Sequence, residues 1–209
     1  MNHKKIILFG GTFDPVHLGH TTVASAAAEY IGADKTIFIP AKRSPLKVSF
    51  PRAGDIDRFN MIKLAISNKK YFEVSDYELN KSAPSYTLDT VRYFQTKESE
   101  NTLYWLIGAD SIDDLIYWHH ITELIDECII ATMYRANFPR PDFTKYESLW
   151  GKDRIDKLQA NIIPTPLLEI SSTQVRERIT SGKDITQLLD ISVVKYIEDH
   201  LLYKNKADL

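Results

Sequence analysis

Short apolar runs and helical patterns alternate along the whole of this chain, and that alternation limits the folds open to it. "KIILFG" (5–10), "KTIFIP" (35–40), "YFEVSD" (71–76), "TLYWLIGAD" (102–110), "ECIIATM" (127–133) and "ANIIPT" (160–165) have the length and residue types of strands. Between them lie segments with a helical period. "GHTTVASAAAEYIG" (19–32) is Ala-rich and stops at Gly32. "IDRFNMIKLAI" (56–66) carries Phe59, Ile62, Leu64 and Ile66, and "TLDTVRYFQTK" (87–97) sets Leu88, Val91 and Phe94 on one face. "TQVRERITSG" (173–182) and "SVVKYIEDHLLY" (192–203) are the last two. Successive strand–helix–strand units pair their strands in parallel through right-handed crossovers. The expected fold is therefore α/β: a doubly wound, Rossmann-like parallel sheet with helices on both faces and a C-terminal helical segment over about 171–203. The stretch 134–152 has two prolines and weak periodicity, and is expected to be a surface connection, partly helical.

The 209 residues are expected to form a single domain over 1–209, with a core that needs no staples. A net charge of −2 argues against a general nucleic-acid footprint. No stretch approaches the roughly 18 apolar residues of a membrane span, and "MNHKK" runs straight into a strand, so a cytoplasmic protein is expected. The single cysteine, Cys128, sits in an apolar run and is expected to be a buried small residue.

In an open parallel sheet, ligands lie beyond the carboxyl ends of the strands. "GGTFDPVHLGH" (10–20) follows the first strand there. Gly10 and Gly11 let a ligand approach backbone N–H groups. Asp14 and Pro15 read as the cap and first residue of a helix, whose N-terminus offers unpaired donors to phosphate. His17 and His20 share one helical face. Gly19 between them lowers helix propensity by about 1 kcal/mol, a cost that makes sense if something lies flat against the backbone. Further ligands at zinc spacing are not evident, and the loop is neither a Walker A loop nor G-x-G-x-x-G. Further on, Ser171 or Ser172 can cap a helix with Val175 and Ile179 on its core face. Arg176, one turn in, can make a forked contact to phosphate. "SAPSYTLDT" also reads as a capped helix, with Thr87 as the cap, and Asp110 can cap a helix over "SIDDLIYW".

"GGTFDPVHLGH" resembles the signature of the nucleotidyltransferase superfamily that carries H-x-G-H, and its full form resembles bacterial nicotinate mononucleotide adenylyltransferases. "SYTLDT" (85–90), "IGADSIDDLIYWHHITEL" (107–124) and "ISSTQVRERITSGKDITQLL" (170–189) are similar, in order, to that family's S-Y-T-x-D-T, G-A-D-S with a following tryptophan, and I-S-S-T-x-x-R. The resemblance runs from residue 6 to residue 203. H-x-G-H alone is shared with pantetheine-phosphate and cytidylyl transferases; "SYTLDT" and the "GADS" segment point to the nicotinate branch.

The resemblance implies adenylyl transfer from ATP to nicotinate mononucleotide, giving nicotinate adenine dinucleotide and pyrophosphate in NAD biosynthesis. It implies Mg²⁺ bound mainly through ATP phosphates, with no metal site of the protein's own. It makes His17 and His20 catalytic donors to the α- and β-phosphates. It sets ATP against Gly10, Gly11, Thr12, Phe13, His17, His20, Ser171, Ser172, Thr173 and Arg176. It sets the acceptor against Lys47, Tyr86, Thr87, Asp110 and Trp118, with backbone donors near Thr87 for the carboxylate, Trp118 as a stacking partner and Asp110 on ribose hydroxyls or Mg²⁺ waters. Partners are ATP and nicotinate mononucleotide, not nucleic acid or membrane; a homo-oligomer is left open. Such chemistry is positioning plus charge stabilisation, which suits a site rich in donors and poor in nucleophiles.

Two positions depart from the family pattern. Leu46 stands where the family often has histidine, so that role is absent here or falls to Lys42 or Arg43. Asp190 stands where proline often precedes the last helix, and Asp190 can cap that helix. A transferase using nicotinamide mononucleotide or another phosphate acceptor, and a non-catalytic nucleotide sensor, are the alternatives.

Overall fold

A computed structural model describes residues 3–46, 49–135, 139–166 and 168–204, Arg135 by its backbone alone. Six parallel strands form one sheet: β1 (Lys5–Gly11), β2 (Lys35–Pro40), β3 (Phe72–Val74), β4 (Thr102–Gly108), β5 (Ile129–Arg135) and β6 (Ile162–Thr165). Their order is β3-β2-β1-β4-β5-β6, so the winding reverses between β1 and β4. That reversal opens a crevice beyond the carboxyl ends of those two strands.

Both faces of the sheet are covered, and β1 shows why Ile6 to Phe9 include no polar residue. Ile6 and Leu8 point into a core built with α3 (Thr87–Lys97), α4 (Ile121–Glu127) and α6 (Lys152–Ala160). Ile7 and Phe9 point into the opposite core, with α1 (Leu18–Ile31), α2 (Asp55–Ala65) and α8 (Ile191–Asp199). A strand buried on both sides reads as a continuous apolar run. The small side chains of Ala24 and Ala27, both fully buried, let α1 lie close against the sheet. Gly32 ends α1 in the left-handed conformation, φ 67°, as its position requires. Cys128 is buried, and burial pushes its thiol up to about 12, so it behaves as a small apolar residue.

Several boundaries differ from expectation. Of the stretch 134–152, residues 136–138 lie outside the described residues; the part over 139–152 is partly helical as expected, but it is more than a surface connection. Phe143, Tyr146 and Trp150 are buried, the last two stacked at 4.7 Å, around a short α5 (Glu147–Trp150). Their spacing of three and four brings three aromatics onto one side despite the prolines. The strand expected over 71–76 shrinks to three residues at the sheet edge. Asp110 does not cap a helix: two 3₁₀ turns, Ala109–Ser111 and Leu115–Tyr117, replace the expected one. Asp190 does cap α8, accepting from the Ser192 N–H at 2.9 Å. No helix among the described residues is long and apolar enough to cross a membrane.

Candidate active site

The loop after β1 is held by buried charge. Asp14, 4% exposed, is not a helix cap. Its carboxylate instead accepts from the N–H groups of Arg52 (2.8 Å) and Ala53 (3.0 Å) and from the hydroxyl of Tyr203 (2.8 Å). Those donors occupy the oxygens that a cap would use, and α1 starts at Leu18 with His17 in the cap position. The Thr12 carbonyl accepts from Arg58 Nη1 at 2.8 Å, and Arg58, with no exposed surface, is neutralised by Asp55 at 2.6 Å. Phe13 takes a left-handed backbone, φ 48°, which puts its ring edge-on to His20 at 5.0 Å.

The two histidine rings stack, with centroids 3.7 Å apart. The His17 N–H donates to His20 Nδ1 at 3.2 Å. His20 Nδ1 is therefore an acceptor, which leaves Nε2 as the ring's donor nitrogen. Burial pulls the His17 imidazole down to about 4, so it is neutral at pH 7. A Cβ on residue 19 would lie 2.8 Å from His17 Nδ1. The group that lies flat against Gly19 is thus the His17 ring. Two donors expected for phosphate are already used, since the Leu18 N–H donates to the Leu188 carbonyl at 2.9 Å and that of His17 to His20.

α7 (Ser172–Thr180) docks on this loop from far along the chain. Ser171 is its cap, accepting from the Gln174 N–H at 3.1 Å, while Ser172 Oγ donates to the Pro15 carbonyl at 2.9 Å. Arg176 donates to the Asp14 carbonyl at 2.7 Å and to Thr173 Oγ1 at 3.0 Å. The residues expected for ATP therefore come together, from Gly10 to His20 on one side and Ser171 to Arg176 on the other.

Across the switch point lies a cavity of about 300 Å³. Gly10 to Thr12 form one wall and Trp105 and Gly108 of β4 another; Tyr86, Thr87 and Trp118 also line it. A Cβ at Gly10 would lie 2.5 Å from the Trp105 ring, so the close packing of β1 on β4 depends on that glycine. The cap position of α3 is Tyr86 rather than Thr87, and no side chain caps it, which leaves first-turn N–H groups for a ligand. His119 stacks on Tyr86 at 4.3 Å. Asp110 sits in the exposed turn past β4 and is not among the lining residues, although Gly108 and Ser111 are. Lys47 lies outside the described residues.

A cytidylyltransferase-like family model matches residues 8–178. A probable nicotinate-nucleotide adenylyltransferase of Dehalococcoides mccartyi (strain CBDB1) is 37% identical over 202 residues, covering 95% of this chain and 97% of that one. The chain belongs to this adenylyltransferase family. A second member, from Clostridium tetani (strain Massachusetts / E88), is 36% identical over 204 residues, 96% of this chain and 100% of that one. The Plasmodium falciparum nicotinic acid mononucleotide adenylyltransferase complexed with NaAD has the same fold: TM-score 0.74 at 22% identity, over 96% of this chain and 98% of that one.

Two features of this family member are invisible in its motifs. Lys42 is held by the Leu79 carbonyl (3.0 Å) and Asp55 (2.9 Å), and Arg43 lies over the Phe50 ring at 4.6 Å. Both candidates for the absent histidine's role are thus engaged, and Leu46 at the cavity rim is 44% exposed. Glu78, 4% exposed, also lines the cavity; its Oε1 accepts from Thr90 Oγ1 at 2.7 Å, and burial raises its carboxyl above the ordinary range. Lying in the turn after β3 with no motif around it, Glu78 gives no sequence signal.

Proposed function

We propose that this protein transfers the adenylyl group of ATP to nicotinate mononucleotide, releasing pyrophosphate and forming nicotinate adenine dinucleotide for NAD biosynthesis. One observation carries the reading: the stacked His17–His20 pair and the Arg176 helix meet at one side of the switch point, and an aromatic cavity with an uncapped helix start lies at the other. An acceptor phosphate oxygen bonds to the α-phosphorus of ATP as the bond from that phosphorus to the β-phosphate breaks. Imidazole N–H donors of His17 and His20 stabilise charge on the phosphate oxygens as it moves. Arg176 takes the outer phosphates and Trp118 stacks on the pyridine. The first-turn N–H groups of α3 take the nicotinate carboxylate. The metal we assign is Mg²⁺ carried on the triphosphate, where it would neutralise charge. Asp110 serves the ribose hydroxyls or the metal's waters. We read residues 1–209 as one transferase unit working in the cytoplasm.

The test is pyrophosphate release with a panel of acceptors at fixed ATP and Mg²⁺. Backbone donors suit a carboxylate and oppose an amide NH₂. Two mispaired buried groups at roughly 1–3 kcal/mol each give a preference of about 10²-fold or more in kcat/KM for nicotinate over nicotinamide mononucleotide. Comparable values would make the enzyme dual-specific, and no release with any acceptor would make it a nucleotide sensor.

A further inference from the structure

Of the two acids on the cavity wall, Asp114 is exposed and Glu78 is buried. A buried carboxylate is a poor neighbour for an anionic pyridine, and the hydrogen bonds around Glu78 suggest how the conflict is relieved. Thr90 Oγ1 lies 2.7 Å from Glu78 Oε1 and 3.3 Å from the Tyr86 carbonyl, yet the hydroxyl has one proton. With Glu78 ionised, that proton goes to the carboxylate, and the Tyr86 carbonyl keeps only the Thr90 N–H at 3.3 Å. With Glu78 protonated, the acid donates to Thr90 Oγ1 and Thr90 donates onward to Tyr86. The second arrangement satisfies both contacts and tightens the start of α3, where the acceptor's carboxylate is expected.

We infer, on the reading that the acceptor is nicotinate mononucleotide, that Glu78 takes up a proton as the pyridine carboxylate enters, so that a neutral acid meets the anion. The surrounding charges make the site responsive. From α2 Arg58 faces Glu78, with Asp55 as its partner. Lys81 lies in the same turn, paired with Asp89 of α3 and near Tyr77, and Lys42 reaches the adjacent Leu79 carbonyl. Asp114, Tyr86, Tyr117 and His119 line the cavity. Arg58 and Lys81 favour the carboxylate, as do hydroxyl bonds from Thr90 and Ser85; burial favours the acid and outweighs them. A second anion acts in the same direction as burial. The neutral amide of nicotinamide does not.

The experiment measures kcat/KM for nicotinate and nicotinamide mononucleotides from about pH 5, near the ordinary carboxyl range, to about pH 9 and takes their ratio, which cancels every titration the two reactions share. In the wild type the ratio falls by about tenfold, the effect of a one-unit shift at one group. In Glu78→Gln it stays flat. A flat ratio in the wild type, or an undiminished slope in the variant, overturns the inference. If the variant does not fold, calorimetry of the wild type in two buffers of different ionisation enthalpy decides. More proton uptake with nicotinate than with nicotinamide mononucleotide supports the inference, and equal uptake overturns it. Absence of turnover with both acceptors would overturn the proposed reaction, while the calorimetric difference still decides on Glu78.

Discussion

The two sides of the crevice are built on opposite plans. On the histidine side, most polar groups are already partnered, although His17 Nδ1, Arg58 Nε and Arg176 Nε are buried without a hydrogen bond. Asp14 accepts three hydrogen bonds, Arg58 and Arg176 hold the carbonyls of Thr12 and Asp14, and His17 is packed on Gly19. On the cavity side, the α3 terminus is uncapped, and the walls are aromatic and partly exposed, with Tyr117 at 68%. On the proposed reading, the difference follows from the role of each side. Stabilising charge that moves during a reaction requires donors fixed in advance, so that nothing reorganises. Recognising a ligand requires donors left unfilled until it arrives. Damage on the first side should appear in kcat, and damage on the second in the acceptor's KM.

The largest break is expected at the histidines. His17→Ala and His20→Ala should each lower kcat by about 10²–10³ while leaving the KM for ATP nearly unchanged, since each removes a donor that acts on developing charge. Steady-state kinetics at saturating acceptor measures both. A histidine whose loss spares turnover serves only to hold the loop.

The burial that keeps His17 neutral also carries a stability signature. Its folded value of about 4 lies below the 6.5 of a free imidazole. The unfolded chain therefore binds the extra proton first, and the contribution to stability is complete above about pH 6.5 and is lost as pH falls towards 4. The difference amounts to on the order of 3 kcal/mol. Urea unfolding of the wild type and of His17→Gln, from about pH 7 to about pH 4, should show the gap between the two shrinking by that amount in favour of the variant. Parallel curves would mean that His17 is hydrated and that the tight packing of the first side is overstated.

The two plans differ in how legible they are. Helix α3 falls on the residues its periodicity marks, Gly32 ends α1, and Asp190 caps α8, because each depends on neighbours within a turn. The alternation of strands and helices implied the doubly wound sheet for the same reason. The Asp14 knot is not legible: its partners lie 38, 39 and 189 residues away, and Asp14-Pro15 reads locally as a helix start. Helix α6 buries only Ile155 and Leu158 among nine residues, too few for a periodic signal. Trp105 lies in a segment that reads as a strand and is buried, but its place in the cavity wall appears only when Gly10 is set beside it. The motif residues expected for ATP lie together, whereas Asp110 stands aside from the cavity and Glu78 gives no sequence signal.

The smallest effect sharpens the contrast most. Trp118 is half-buried, lines the cavity and packs its inner face on the core of the sheet. An aromatic pair contributes about 0.5–1.5 kcal/mol beyond the area it buries, a factor of roughly two to ten. Trp118→Ala should therefore raise the KM for nicotinate mononucleotide by about that factor, with kcat and the KM for ATP within about twofold. Trp118→Phe, which keeps a ring in place, should recover most of the loss. The pair of variants separates stacking from support, because a collapsed wall would not be rescued by the smaller ring. If Trp118→Ala lowered kcat as far as His17→Ala does, the reacting phosphate would depend on the pyridine's seat. The two sides of the crevice would then be one mechanical unit, not a fixed half and a receptive half.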